Sequence, residues 1–217
     1  MMGFFSKLFN NDSMAAVDDR KVSKIEQEIR ADNTDSVIPR YIFDERYDPM
    51  KPTILILDDN EGATMLFEKT IREISEKYKC DVEDIQFVKI TTTLAVFMLE
   101  QEIKKGTIRN VIGAILDITF GGHAVKGGKL VMYDGIDAYK IIKNRFPNAI
   151  IRFYTSHSMN PKNIDVNKFM KKFSTFSGKD IRDFTYIKDP FSNSREEMLL
   201  DIIKTYNEQR GLKCSKS

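Results

Sequence analysis

Three aspartates follow two of the most apolar stretches of the chain and could together support metal-assisted chemistry. Asp58 and Asp59 come directly after residues 53–57, and Asp117 comes directly after residues 111–116. Short runs rich in Ile, Val and Leu, bounded by turn residues, are typical of buried strands in a parallel sheet. The carboxyl ends of such strands meet at the edge where open α/β sheets bind ligands. We therefore expect the three carboxylates to lie close together.

Carboxylates that are crowded together repel one another unless a proton or a cation lies between them. Their hard oxygen atoms are the ligands that Mg²⁺ prefers in proteins. A single aspartate at a strand end would carry little weight, because polar residues commonly follow strands. The repetition on a second strand favours a site for Mg²⁺ and a phosphate group over that simpler interpretation.

Two other stretches could contact a phosphate group. Thr155 follows the apolar run 149–154, where its hydroxyl could donate to a phosphoryl oxygen or simply hydrogen-bond within a turn. The segment 121–129 is rich in Gly and contains lysines, but His123 and Leu130 stand where a phosphate-binding P-loop needs Gly and Ser or Thr. We interpret this segment as a mobile surface loop that could cover the acidic site, with His123 exposed to solvent.

The candidate residues are spaced along a regular alternation of predicted strands and amphipathic helices, which indicates an α/β domain with a parallel sheet. The predicted strands are 53–58, 85–90, 111–116, 149–154 and 184–188. The segment before these strands has a different composition. Residues 11–52 begin with a short helical pattern and continue as a polar stretch punctuated by proline, which indicates an arm leading into the domain.

Composition narrows the class of protein. The chain has 217 residues and a net charge of +2, from 34 basic and 32 acidic side chains, so a nucleic-acid partner is not expected. Cys80 and Cys214 have no metal-binding spacing and are interpreted as reduced thiols of a cytoplasmic protein. No apolar run is long enough to span a bilayer, and no signal peptide is recognisable. Residues 3–9 are hydrophobic and could contact a membrane surface or the groove of a partner protein.

Taken in order, the acidic pairs and strand ends resemble the receiver domain of two-component response regulators. The residues that carry the resemblance are Asp58-Asp59, Asp117, Asp134-Gly135, Thr155-Ser156 and Lys188. The similarity covers roughly residues 53–210 and implies a flavodoxin-like, doubly wound sheet of five parallel strands. We therefore divide the chain into an arm over residues 1–50, partly helical or disordered, a receiver-like domain over 51–212, and a basic tail over 213–217.

The resemblance implies roles for three strand-end residues. Asp117 would accept a phosphoryl group, Thr155 would donate a hydrogen bond to the acyl phosphate, and Lys188 would form an ion pair with it. Receivers normally have Lys followed at once by Pro, whereas this chain reads Lys188-Asp189-Pro190. If one residue is inserted, Lys188 keeps its role; if the register is continuous from the proline, Asp189 takes its place. A fourth carboxylate would worsen the repulsion, so Lys188 is preferred.

The resemblance also implies a Mg²⁺ site. Asp59 would bind the ion directly, Asp58 through a water molecule, and Asp117 with the phosphoryl group. The main-chain carbonyl of Thr119 would complete the protein ligands. A cation in this place would offset the charges of both the attacking carboxylate and the phosphoryl donor.

Three functions remain open from the sequence. The first is a stand-alone response regulator, which is phosphorylated on Asp117 by a histidine kinase or phosphotransfer protein, switches the binding of an unknown downstream protein, and is not a turnover enzyme. The irregularity at Lys188-Asp189 makes a pseudo-receiver that binds partners without phosphorylation a credible alternative. The third is a Mg²⁺-dependent phosphohydrolase, for which an acidic residue would be more suitable than Thr119.

Overall fold

The computed structural model describes residues 47–58, 62–90, 93–119, 122–126, 129–156, 159–160, 164–189 and 191–215. Most of the predicted arm, including the hydrophobic segment 3–9, lies outside the described residues. The predicted Mg²⁺ ligand Asp59 also lies outside them.

Five parallel strands form the central sheet, in the spatial order β2-β1-β3-β6-β7. The strands are β1 (Thr53–Leu57), β2 (Gln86–Ile90), β3 (Val111–Leu116), β6 (Ile150–Thr155) and β7 (Thr185–Ile187). Every residue of β1 and β3 is buried, as expected for central strands covered on both faces. This strand order is the flavodoxin-like one, so the predicted fold class is confirmed.

Helices cover both faces of the sheet. They are α1 (Gly62–Tyr78), α2 (Thr93–Lys105), α3 (Gly135–Arg145), α4 (Ile164–Ser177) and α5 (Ser194–Gln209). One core joins one face of the sheet to α1 and α5, and a second core joins the other face to α2, α3 and α4. Among the described residues, no helix is both long and apolar enough to cross a membrane.

Successive residues of β1 supply the two cores in turn. Ile54 and Ile56 pack against the side of α1 and α5, whereas Leu55 and Leu57 pack on the opposite side. On β3, Gly113 lets α5 approach closely, since a Cβ atom there would lie 2.7 Å from Cγ2 of Ile202. The sheet is therefore packed on both faces. The carboxyl ends of its five parallel strands lie together along one side, which we call the carboxyl edge.

The segment 121–129 is not the loop that we predicted. Strands β4 (Gly122–Lys126) and β5 (Lys129–Tyr133) pair antiparallel in a separate two-stranded sheet. The prediction of a loop is therefore wrong. That the segment covers the acidic site stays a prediction, and the side chain of His123 lies outside those that the structure describes. Two runs containing β-branched and aromatic residues flank the dipeptide Gly127-Gly128, a sequence signal for a hairpin.

The two cysteines are also not as predicted. Cys80, just after α1, and Cys214, beyond the end of α5, form a disulfide. The prediction of reduced thiols is wrong because the spacing of two cysteines along the chain does not indicate how close they lie in the fold. Since α1 and α5 pack side by side on one face, their ends bring the two thiols together across a sequence separation of 134 residues.

Candidate functional site at the carboxyl edge of the sheet

Four of the predicted site residues meet at the carboxyl edge because each lies at the end of a strand. Asp58 follows β1, Asp117 follows β3, Thr155 ends β6 and Lys188 follows β7. Main-chain hydrogen bonds continue the sheet through them. The Asp117 nitrogen donates to the Leu57 carbonyl at 2.8 Å, and the Lys188 nitrogen donates to the Thr155 carbonyl at 2.8 Å. These main-chain hydrogen bonds therefore fix the positions from which the side chains of Asp117 and Lys188 extend.

One lysine is shared by two buried carboxylates. The Nζ atom of Lys188 lies 2.8 Å from Oδ2 of Asp58 and 2.8 Å from Oδ2 of Asp117. Asp58 is 4% exposed and Asp117 is 6% exposed, so little water screens the pairs. Burial alone would lower the pKa of Lys188, but hydrogen bonds and charges from Asp117 and Asp58 together raise it above its ordinary value. The lysine is therefore held in its charged form.

Lys188, not Asp189, contacts Asp117. Asp189 is exposed, and its Oδ1 atom accepts a hydrogen bond of 2.9 Å from the main chain of Phe191. The Lys188 ammonium group also lies 5.8 Å from the ring centroid of Tyr154, within the range of a cation–π contact. The extra residue before the proline therefore lies beyond the strand end and does not displace the lysine.

Both oxygens of Asp117 are engaged. Its Oδ2 atom faces Lys188, while its Oδ1 atom accepts hydrogen bonds from the main-chain nitrogen and the hydroxyl of Thr119, each at 3.1 Å. This arrangement holds the carboxylate in one orientation. Thr155 is fully buried beside it in the sheet. The contact of the Thr119 hydroxyl with Asp117 was not foreseen, since the sequence suggested only a role for its carbonyl group.

The first turn of α3 lies directly against the main chain of Asp117. The Gly135 nitrogen donates to the Ile118 carbonyl at 3.3 Å. A Cβ atom at position 135 would lie 2.2 Å from the Asp117 carbonyl oxygen, a distance that no side chain could tolerate. The local structure therefore accounts for the sequence Asp134-Gly135. Asp134 caps α3, and only glycine at position 135 lets the helix approach the main chain of Asp117 this closely.

The predicted metal ligands are only partly described. Asp58 and Asp117 are close together, Thr119 is adjacent, and Asp59 lies outside the described residues. Within the part of the chain that the structure describes, no group of three or more His, Cys, Asp or Glu side chains could hold a metal ion. The donors that are present are hard oxygen atoms at a buried edge, which fits the preference of Mg²⁺.

Of the comparisons with known proteins, only the one with solved structures found proteins similar to this chain. No protein-family model matches the chain, and no curated protein sequence matches it. Solved structures similar to it include a response regulator receiver protein from Sinorhizobium medicae, with 15% identity and a TM-score of 0.45 over 75% of this chain and 99% of that one. A CheY-like receiver domain from Methanospirillum hungatei has 16% identity and a TM-score of 0.43 over 74% and 98%.

A third similar structure, a response regulator receiver domain protein from Clostridium thermocellum, has 14% identity and a TM-score of 0.41 over 74% of this chain and 97% of that one. All three are receiver domains, the family that the sequence motifs resemble. The similarity concerns the fold, so the assignment of the site rests on the geometry of this chain.

Proposed function

We propose that this protein is a phosphoryl-accepting response regulator, with Asp117 as the acceptor and a histidine kinase or phosphotransfer protein as the donor. The observation that supports this proposal is the sharing of Lys188 between Asp58 and Asp117, both buried, at the carboxyl edge. Such an edge is where doubly wound sheets bind their ligands. A carboxylate held there in one orientation, with a cation beside it, suits attack on a phosphoryl group.

The proposed reaction transfers a phosphoryl group from a phosphohistidine to a carboxylate. An oxygen of Asp117 attacks the phosphorus atom, so an O–P bond forms while the N–P bond to the donor imidazole breaks. The imidazole nitrogen keeps the electron pair of that bond and takes a proton from water. Lys188 would then pair with a phosphoryl oxygen, and the hydroxyl of Thr155 would donate to another, since both lie at the same edge of the sheet.

Mg²⁺ would be held by Asp58, Asp59, Asp117 and the carbonyl of Thr119, and when bound it would neutralise charge on the phosphoryl oxygens. We expect Asp59→Ala to weaken Mg²⁺ binding strongly in calorimetry. Asp189→Ala is the matched control, because Asp189 is an exposed carboxylate next to the site whose Oδ1 atom accepts a hydrogen bond from the main chain of Phe191. Equal Mg²⁺ affinity in the native protein and Asp59→Ala would remove Asp59 from the site.

The proposed output is a change in the binding of a downstream protein, not turnover of a substrate. We propose a cytoplasmic location, the usual compartment of phosphoryl transfer from such kinases. Disulfides are rare in that compartment, so the Cys80–Cys214 bond gives the proposal a direct check. Thiol alkylation of the protein in intact cells, before lysis, is the test: an intact Cys80–Cys214 disulfide in the cell would count against a cytoplasmic location, and alkylation of both cysteines would support it.

A pseudo-receiver is the second candidate, and the same geometry favours it. Lys188 offsets only one of the two negative charges, but its contacts with both carboxylates hold the edge in a single arrangement. Such a protein would present one constant surface to its partner. The two candidates differ in whether Asp117 ever carries a phosphoryl group.

Labelling with acetyl phosphate separates them. We expect the native protein, with Mg²⁺, to gain the mass of one phosphoryl group, and Asp117→Asn to gain none. Asp189→Asn removes a neighbouring exposed carboxylate and should be labelled like the native chain. If the native protein remains unmodified at saturating donor and Mg²⁺, the pseudo-receiver is the correct assignment.

A further inference from the structure

Lys172, on α4, forms two ion pairs with residues of α3. Its Nζ atom lies 2.7 Å from Oδ2 of Asp134 and 2.8 Å from Oδ2 of Asp137. The Lys172 side chain is 35% exposed, and both carboxylates are less exposed than that. Burial alone would lower the pKa of Lys172, but the hydrogen bonds and charges of Asp134 and Asp137 raise it overall. Charged Lys172 therefore joins α4 to the amino-terminal end of α3.

The two carboxylates that Lys172 contacts form the cap of α3. Oδ1 of Asp134 accepts hydrogen bonds from the main-chain nitrogens of Ile136 at 2.9 Å and Asp137 at 3.0 Å. In return, Oδ2 of Asp137 accepts from the Asp134 nitrogen at 3.2 Å. This reciprocal pattern is a capping box, which fixes the first turn of a helix. Lys172 thus contacts the groups that determine where α3 begins.

The beginning of α3 in turn touches the proposed phosphoryl acceptor. Gly135, between the two capping aspartates, approaches the Asp117 carbonyl oxygen so closely that no Cβ atom fits. Its nitrogen also donates to the carbonyl of Ile118. A shift of the first turn of α3 would therefore displace the main chain of Asp117 and the residues that follow it.

We propose that Lys172 is a positioning residue for Asp117, acting through Asp134, Asp137 and Gly135. The proposal rests on the proposed function of Asp117 as a phosphoryl acceptor. It also gives α4 a route to the site, because α4 follows β6, which ends at Thr155 at the same edge of the sheet.

The test compares Lys172→Met, Lys172→Arg and Lys171→Met. Lys171 directly precedes Lys172 on α4 and is exposed, so its variant removes the same charge and leaves the contacts of Lys172 in place. We expect Lys172→Met to lower the rate of labelling by acetyl phosphate roughly tenfold, because small displacements of a reacting group are costly. Arginine can bind both carboxylates, so Lys172→Arg should retain most of the native rate, as should Lys171→Met.

A second measurement does not depend on labelling. The NMR amide signals of Ile118 and Thr119 should shift in Lys172→Met and remain native-like in Lys172→Arg and Lys171→Met. Native signals together with a native labelling rate in Lys172→Met would overturn the positioning role. If the native protein itself is not labelled, the proposed function fails, and the amide signals alone decide the role of Lys172. Lys172→Gln, which keeps one donor, replaces Lys172→Met in both assays if the latter does not fold.

Discussion

At the carboxyl edge of the sheet, two buried carboxylates share one lysine. At the opposite side, the amino edge where the strands begin, a disulfide and the buried side-chain amide of Asn207 join the ends of α1 and α5. The carboxyl-edge group consists of Asp58, Asp117 and Lys188. Its stability depends on the balance of three charges in a poorly hydrated place. Any ligand that adds or removes charge there must rearrange the contacts of Lys188.

The amino edge contains contacts that such a ligand would leave unchanged. Cys80 and Cys214 are bonded covalently. The fully buried Asn207, on α5, donates from Nδ2 to the Asp81 carbonyl at 3.0 Å, and Arg210 pairs with the Asp81 carboxylate at 2.8 Å. These contacts tie the turn after α1 to the last turn of α5.

Under the proposed function, this difference would separate switching from stability. A phosphoryl group on Asp117 would change the contacts of the charged groups at the carboxyl edge. At the amino edge, a disulfide, an amide hydrogen bond and an ion pair join the ends of α1 and α5 at a distance from those groups.

Removal of the shared lysine should have the largest effect on stability. Lys188→Met leaves two buried carboxylates without their cation, and breaking a buried pair in this way costs about 3–5 kcal/mol. Urea unfolding measures the loss. Adding Asp58→Asn to Lys188→Met should restore part of the lost unfolding free energy, because one of the two unpaired carboxylates is then a neutral amide.

The control for this prediction is Lys69→Met, which removes a lysine that is 75% exposed and pairs with Glu73 one turn further along α1. Its free energy of unfolding should change by less than about 1 kcal/mol. If Lys188→Met were no less stable than Lys69→Met, the carboxylates at the carboxyl edge would not depend on their lysine.

Reduction of the disulfide should have the next largest effect and should act on stability alone. The bond between Cys80 and Cys214 closes a long loop, so its loss should lower the free energy of unfolding by about 2–4 kcal/mol. Cys214→Ser should have the lower stability with or without reductant. The rate at which acetyl phosphate labels Asp117 should be the same in both states. A rate that fell on reduction would show that the two edges are coupled.

Loss of the Thr119 hydroxyl should have a smaller effect, confined to the carboxyl edge. Thr119→Val removes one of the two hydrogen bonds to Oδ1 of Asp117 and should change stability by no more than about 1 kcal/mol. We expect slower labelling of Asp117, because its carboxylate is less firmly oriented. Thr119→Ser keeps the hydroxyl and should be labelled at the native rate, and equal rates in all three proteins would exclude an orienting role.

The smallest effect is expected from pH. Because the folded protein raises the pKa of Lys188, its contribution to stability is complete below the unfolded pKa of about 10.4 and is lost as pH rises through the higher folded value. The difference in unfolding free energy between the native protein and Lys188→Met should therefore be constant near neutral pH and shrink at the alkaline end. A difference that grew with pH would contradict the ion pairs.

The sequence predicted the sheet and the strand-end residues well because both follow from local patterns. An apolar run that stops on Asp58 or Asp117 identifies a strand and its polar end together, and strands of one parallel sheet must end at one edge. The choice between Lys188 and Asp189 required the structure, since a shift of one residue reverses the face of a strand.

The contacts that the sequence did not predict join distant parts of the chain. Lys172 meets Asp134 across 38 positions, and Cys80 meets Cys214 across 134. Only the packing of one helix against another brings such pairs together, and no periodicity in the sequence records it. The hairpin of β4 and β5 is different, because Gly127-Gly128 between two strand-forming runs is a local signal for a hairpin.

The most direct test of the division between the two edges is a map of NMR amide shifts on adding Mg²⁺ and beryllofluoride, which mimics an acyl phosphate. We predict large shifts at Asp117, Thr155 and Lys188, and native positions at Asp81 and Asn207, because the charge is added at the carboxyl edge alone. Unchanged signals at Asp117 and Lys188, or shifts as large at Asp81 and Asn207, would contradict this account.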